Sequence, residues 1–175
     1  MRTSLVAIAS LLVSFMAASP ATAQRVFKVE KGEAFNKIVP RDFVLEENAI
    51  PTEKRNSTLV LTPSGARFVA GLLDTSGYSS QVQEKYLGML IAEGNVEVCG
   101  HQLAIGSYGF GLAKAKGTAG RRPSKFFLYN QAGKRVAECA VKVDEKLKSP
   151  RPLQVVASGG GTARLYLGRT WVELK

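Results

Sequence analysis

The sequence predicts an all-β fold: an antiparallel β-sandwich or barrel-like domain with at most one short helix, preceded by a cleaved signal peptide. Three observations carry this. Short apolar runs with two-residue alternation recur from residue 25 to residue 174. Turn-forming clusters such as Pro63-Ser64-Gly65, Gln131-Ala132-Gly133 and Ser158-Gly159-Gly160-Gly161 separate them. Only Ser79–Tyr86 has helical character.

The first segment is not part of the fold. Arg2 gives a positive start, residues 5–18 are mostly apolar, and Ala21-Thr22-Ala23 has the small-x-small pattern of a cleavage site. Residues 1–23 are therefore expected to be removed. That leaves one β-rich domain from Gln24 to Lys175, long enough to bury a sizeable core. No transmembrane segment is expected in the mature chain. A periplasmic or secreted location follows.

The strands are expected in order. Arg25–Glu30 alternates, with Phe27 and Val29 on one face. Phe43-Val44-Leu45 is a short apolar run before Pro51. Residues 24–55 as a whole are less regular, and read as an N-terminal arm covering a sheet edge or as a separate hairpin. Thr58–Thr62 is bounded by Asn56-Ser57 and Pro63-Ser64-Gly65, and Arg67–Leu73 follows at hairpin distance. Ser79–Tyr86 is a helix of about two turns, with Ser80 as cap and Gln83 completing a capping box. Tyr86–Ala92, Val96–Cys99, Leu103–Leu112, Lys125–Asn130, Lys134–Val143, Leu153–Ala157, Thr162–Leu167 and Thr170–Leu174 complete the set. Alternation puts Ala163, Leu165 and Leu167 on one face, and Phe126 with Leu128 on another. One apolar face per strand is what a sheet packed on one side requires.

Cys99 and Cys139 are the two cysteines of the chain. In an exported protein they are expected to form a disulfide. The enclosed loop of about 40 residues would contribute about 4 kcal/mol in the chain-entropy account.

Candidate chemistry is sparse. His101 is the single histidine, and it sits beside Gly100 in an expected turn with no G-x-S-x-G motif in the chain. A solvated turn histidine is the ordinary reading. Cys99, His101 and Cys139 fall short of a structural zinc set, and a disulfide would consume both sulfurs. Asp74, Glu84, Glu93, Asp144 and Glu145 form no motif that fixes a carboxylate pair. No catalytic residue, metal or cofactor is expected.

Two features point to binding. In Gly106-Ser107-Tyr108-Gly109-Phe110-Gly111, alternation puts Tyr108 and Phe110 on one face and Gly109 and Gly111 on the other. That pattern suits a flat groove, although aromatics packed over glycines are commoner in cores. Next, Lys114, Lys116, Arg121, Arg122 and Lys125 crowd a glycine-containing loop suited to phosphates or sulfates. The formal net charge of +10, of which only Arg2 is lost with the leader, favours anionic partners generally. Nucleic acid is not expected outside the cytoplasm. An anionic envelope polymer, a lipid headgroup or another protein is. The candidate ligand-binding residues are Tyr108, Phe110, Arg121, Arg122 and Lys125.

Several pieces between Asn95 and Lys175 form a loose pattern. They are Val96-Glu97-Val98 with Gly100, residues 103–109, Phe126–Tyr129 with Gly133, and residues 164–169. In these the chain is similar to uncharacterised exported bacterial β-sandwich proteins of a domain-of-unknown-function type. The resemblance implies the sandwich fold and brings no catalytic residue. The expected function is a non-enzymatic binding or envelope-interaction module. The alternatives are a hydrolase of an extracellular polymer, or a structural subunit assembling through its glycine-rich sheet face.

Overall fold

A computed structural model describes residues 26–114 and 123–175. The expected signal segment lies outside them. The elements are β1 (Lys28–Glu30), α1 (Glu33–Ile38), β2 (Asp42–Leu45), β3 (Asn48–Leu61), β4 (Arg67–Leu73), α2 (Ser80–Lys85), β5 (Gly88–Ala92) and β6 (Val96–Val98). They continue with β7 (His101–Leu103), β8 (Gly106–Lys114), β9 (Pro123–Asn130), β10 (Arg135–Ala140), β11 (Lys142–Val143), β12 (Gln154–Gly159), β13 (Thr162–Leu167) and β14 (Thr170–Leu174). Among the described residues, no helix is long and apolar enough to cross a membrane.

The strands build two antiparallel sheets. The first runs β1-β3-β4-β5-β8-β9-β10, with β2 also paired to β3. The second runs β12-β13-β14-β6-β7, with β11 beside β14. Alternation explains how they meet. Phe68 and Ala70 of β4, Leu90 of β5, Phe110 of β8, and Phe126 and Leu128 of β9 face Val98, Val155, Ala163, Leu165, Val172 and Leu174 of the second sheet. This is the sandwich core expected from the sequence.

A second core lies on the other side of the first sheet. Leu59, Val69 and Met89 point away from the sandwich interior and pack against Val39, Phe43, Leu45, Ile50, Val82 and Tyr86. The middle of the first sheet is thus buried on both faces, not on one as alternation had suggested. That accounts for the near-continuous apolar run Phe68-Val69-Ala70.

The cover over this second core comes partly from β2 and the start of β3, within residues 24–55, the stretch read as an arm or a separate hairpin. β2 and β3 form a hairpin whose two-residue loop, Glu46-Glu47, has φ of 47° and 64°. Tight hairpins favour this left-handed geometry, usually with Asn-Gly. Here two glutamates adopt it, at about 1–2 kcal/mol each, while Asn48 Nδ2 closes the turn by donating to the Glu46 carbonyl at 2.8 Å. The expectation of at most one helix is also corrected, since α1 joins α2. α1 has no side-chain cap and follows Gly32 at φ 72°, so no start signal marks it in sequence. In α2 the cap is Ser79, not Ser80: its Oγ accepts from Val82 N, while the Gln83 amide donates to Tyr78 O at 2.8 Å.

Candidate functional site

Of the residues singled out from sequence, Tyr108, Phe110 and Lys125 are described, and they do not converge. Phe110 is fully buried in the sandwich core, stacked on Phe126 with ring centroids 5.3 Å apart. It is unavailable to a ligand. Tyr108 is half-buried against the same core, and its hydroxyl donates to Ala104 O at 3.0 Å. Lys125 is exposed and pairs with Glu138 at 2.8 Å, which holds the Glu138 carboxyl below its ordinary value. Register sets Lys125 opposite Ala113 and Tyr108 opposite Asn130, so alternation puts the two on opposite faces of the sheet. Arg121 and Arg122 lie outside the described residues.

The glycine-rich face of β8 is not an open groove. A Cβ at Gly109 would stand 2.7 Å from the Tyr86 ring, and one at Gly111 would stand 2.1 Å from the Lys85 carbonyl oxygen. These glycines let the end of α2 lie directly on the strand. The surface imagined for a structural subunit is therefore occupied by the chain itself.

What sits there is a polar clamp. The Glu46 carboxylate accepts from Lys85 Nζ and, at 2.6 Å, from the Tyr86 hydroxyl. Lys85 Nζ also lies 5.1 Å from the centroids of Tyr86 and Tyr129. Glu46 N donates to Gln131 O at 2.8 Å, tying the hairpin tip to the β9–β10 turn. Lys85 first, then Tyr86, holds the Glu46 carboxyl below its ordinary pKa. Burial, and then the carboxylate, pushes Tyr86 well above its ordinary range. Because the folded state lowers the Glu46 pKa, its contribution is complete above the ordinary carboxylate pKa and is lost as pH falls through the lowered value. We expect Glu46→Gln to cost about 1–2 kcal/mol at neutral pH, with the gap to wild type closing on acidification. Urea midpoints measured from neutral to acidic pH check this; a pH-independent gap would contradict it.

His101 and three of the carboxylates named above have local partners. His101 lies in β7, just past the Cys99-Gly100 turn, and its Nε2 is 3.3 Å from the Glu138 carbonyl oxygen. Asp74 accepts from Ser76 Oγ at 2.6 Å, which lowers its pKa, Glu93 pairs with Arg67, and Asp144 accepts from the Tyr166 hydroxyl at 2.9 Å. Among the described residues, no three His, Cys, Asp or Glu side chains are grouped to hold a metal ion. Cys99 and Cys139 are bonded to one another.

A concave site lies elsewhere, at the seam of the two sheets. On its outer edge, β3 pairs with β2 through Asn48–Pro51 and with β1 through Leu59–Leu61, and residues 52–58 between them pair with neither strand. In that gap β3 also bulges, because Glu53 opposes Leu72 and Ser57 opposes Gly71, so residues 54–56 have no counterpart on β4. Ser57 Oγ donates to Glu53 O at 2.9 Å and Asn56 Nδ2 to Glu53 Oε2 at 2.6 Å, which fixes the bulge. Opposite it, a Cβ on Gly71 would fall 2.4 Å from Ser57 Oγ. Bulges of this kind re-aim side chains at the rims of sites.

The bulge, the β1–α1 junction and the segment entering β12 enclose a cleft of about 500 Å³. Lys31, Lys54, Arg55 and Arg151 line it, and all four are exposed. The acid on its wall, Glu30, is paired with Lys28 at 2.9 Å. Among the described residues, none of the four cations makes an ion pair. The Nε2 of Gln154, also on the wall, is buried without a hydrogen-bond partner. Sequence reading missed this site because its cations come from three distant segments. Asn56-Ser57 reads in sequence as the boundary before the strand Thr58–Thr62, whereas it lies at a bulge within the longer β3.

No protein-family model, curated protein or solved structure matches this chain.

Proposed function

We propose that this protein is an exported, non-enzymatic binding module that holds an anionic ligand in the seam cleft. The observation that carries the reading is the meeting of Lys31, Lys54, Arg55 and Arg151 around one concavity with no acidic partner among the described residues. Like charges brought together by folding repel, and an anion relieves that cost. The setting is the periplasm or the extracellular space, after cleavage near Ala23, as the leader-like segment and the disulfide support. Anionic envelope polymers, lipid headgroups and acidic proteins are the ligands met there. The similarity to exported bacterial β-sandwich proteins belongs to this same proposal.

The test compares two triple variants of equal net charge. Lys54→Gln, Arg55→Gln and Arg151→Gln remove three of the four cleft cations. Lys134→Gln, Lys146→Gln and Lys148→Gln remove exposed charge elsewhere. Three contacts at about 0.5–1 kcal/mol each predict about tenfold or greater weakening on a sulfated polysaccharide for the cleft variant alone. Elution of both variants at the same salt would mean that overall charge, not the cleft, does the binding.

A further inference from the structure

We infer that the anion this cleft takes is an acidic stretch of polypeptide, which pairs as an added strand with the free edge of β12. This rests on the cleft reading above and names its ligand class. β12 ends the second sheet and pairs only with β13. No backbone hydrogen bond reaches its other edge from the described residues. A bare edge presents a row of unpaired N–H and C=O groups, and proteins normally blunt it with charge, proline or a very short strand.

β12 has none of those defences. Its sequence, Gln154-Val155-Val156-Ala157-Ser158-Gly159, holds no charge and no proline, and Val156 is 42% exposed. Its single irregularity falls at the far end, between Ala157 and Gly159. The other sheet ends differ. β1 carries Lys28 and Glu30, β7 is three residues long, and β10 carries Arg135 and Glu138 and is tied down by Cys139.

Two of the cations stand across the cleft from this edge, and none lies within β12 itself. Lys54 and Arg55 come from the β3 bulge of the other sheet, and Arg151 precedes β12. Lys54 and Arg55 therefore charge the wall that faces this edge, and Arg151 adds charge where the chain enters it. A strand laid along β12 alternates its side chains between the two sides. Carboxylates on one side meet the bulge cations, and apolar residues on the other lie beside Val156. The unpartnered Gln154 amide supplies a further donor. A polysaccharide or polyphosphate would satisfy the cations but has no use for a ladder of peptide groups.

The experiment uses the full chain and a short peptide of alternating glutamate and valine, with binding followed by calorimetry. Two further peptides carry N-methyl groups on one or the other alternate set of amides. They keep the charge but lose one edge of hydrogen bonding. Polyphosphate is the non-peptide probe. The expected result is salt-sensitive binding of the parent peptide, loss of about tenfold or more for one methylated peptide, and little change for the other. Arg55→Gln should weaken the parent peptide as well. If both methylated peptides bind like the parent, or polyphosphate binds as well as it does, charge alone is read; edge pairing is overturned and the cleft reading survives. If neither peptide nor polyphosphate binds, both readings fall. Sedimentation showing a dimer that the parent peptide cannot disrupt would assign the edge to a second copy and also overturn the proposal.

Discussion

Replacing Cys99 and Cys139 together by alanine is expected to lower stability by about 4 kcal/mol. The two residues are 40 apart in sequence, with Cα atoms 5.9 Å apart in the fold. The bond ties β10, the last strand of the first sheet, to the β6–β7 turn of the second. Without it, the unfolded chain recovers the freedom of a loop spanning β7, β8 and β9. The loss is large against a typical total of about 5–15 kcal/mol. Urea unfolding of the double variant measures it directly. A loss below about 1 kcal/mol would mean that packing between the sheets, rather than the bond, limits the freedom of this segment.

Gly111→Ala is expected to cost about 3 kcal/mol or more. The added methyl would stand 2.1 Å from the Lys85 carbonyl oxygen, a backbone atom that cannot rotate away. Relief requires lifting the end of α2, which carries Tyr86 and Lys85 away from Glu46. The effect should therefore include loss of the acid-sensitive contribution of Glu46. Gly77→Ala is the matched control, because nothing lies within 4 Å of its added methyl. It should stay within about 0.5 kcal/mol of wild type. Thermal unfolding of both variants decides the matter. Equal melting temperatures would show that α2 yields without loss.

The strands were the most legible part of the sequence. Arg67–Leu73, Thr162–Leu167 and Thr170–Leu174 fall where apolar runs and the turn residues between them place them. Each is bounded by local chemistry that needs no tertiary context. The disulfide was legible for a similar reason, since there are just two cysteines in the chain. The β2–β3 hairpin was legible only as one of two readings of residues 24–55, because its Glu46-Glu47 loop takes the left-handed conformation without glycine. The fold tolerates that strain where Glu46 accepts from Lys85 and Tyr86.

The cleft was hidden by a different limit. Alternation names faces, but it does not say which distant segments share a corner. Lys31, Lys54 and Arg151 are ordinary surface charges in sequence, and only the unpaired stretch of β3 brings them together. Phe110 shows the converse. Its glycine-flanked position suggested a binding surface, yet the glycines make room for Tyr86 and Lys85 on one face while Phe110 fills the sandwich core on the other.

The central claim is that the seam cleft receives an anion, and amide chemical shifts during titration with polyglutamate test it most directly. The largest changes should fall at Lys31, Lys54, Arg55, Arg151 and Gln154, and should fade as salt is raised. Changes centred instead on Lys125 and the basic segment before it, with the cleft unmoved, would contradict the account.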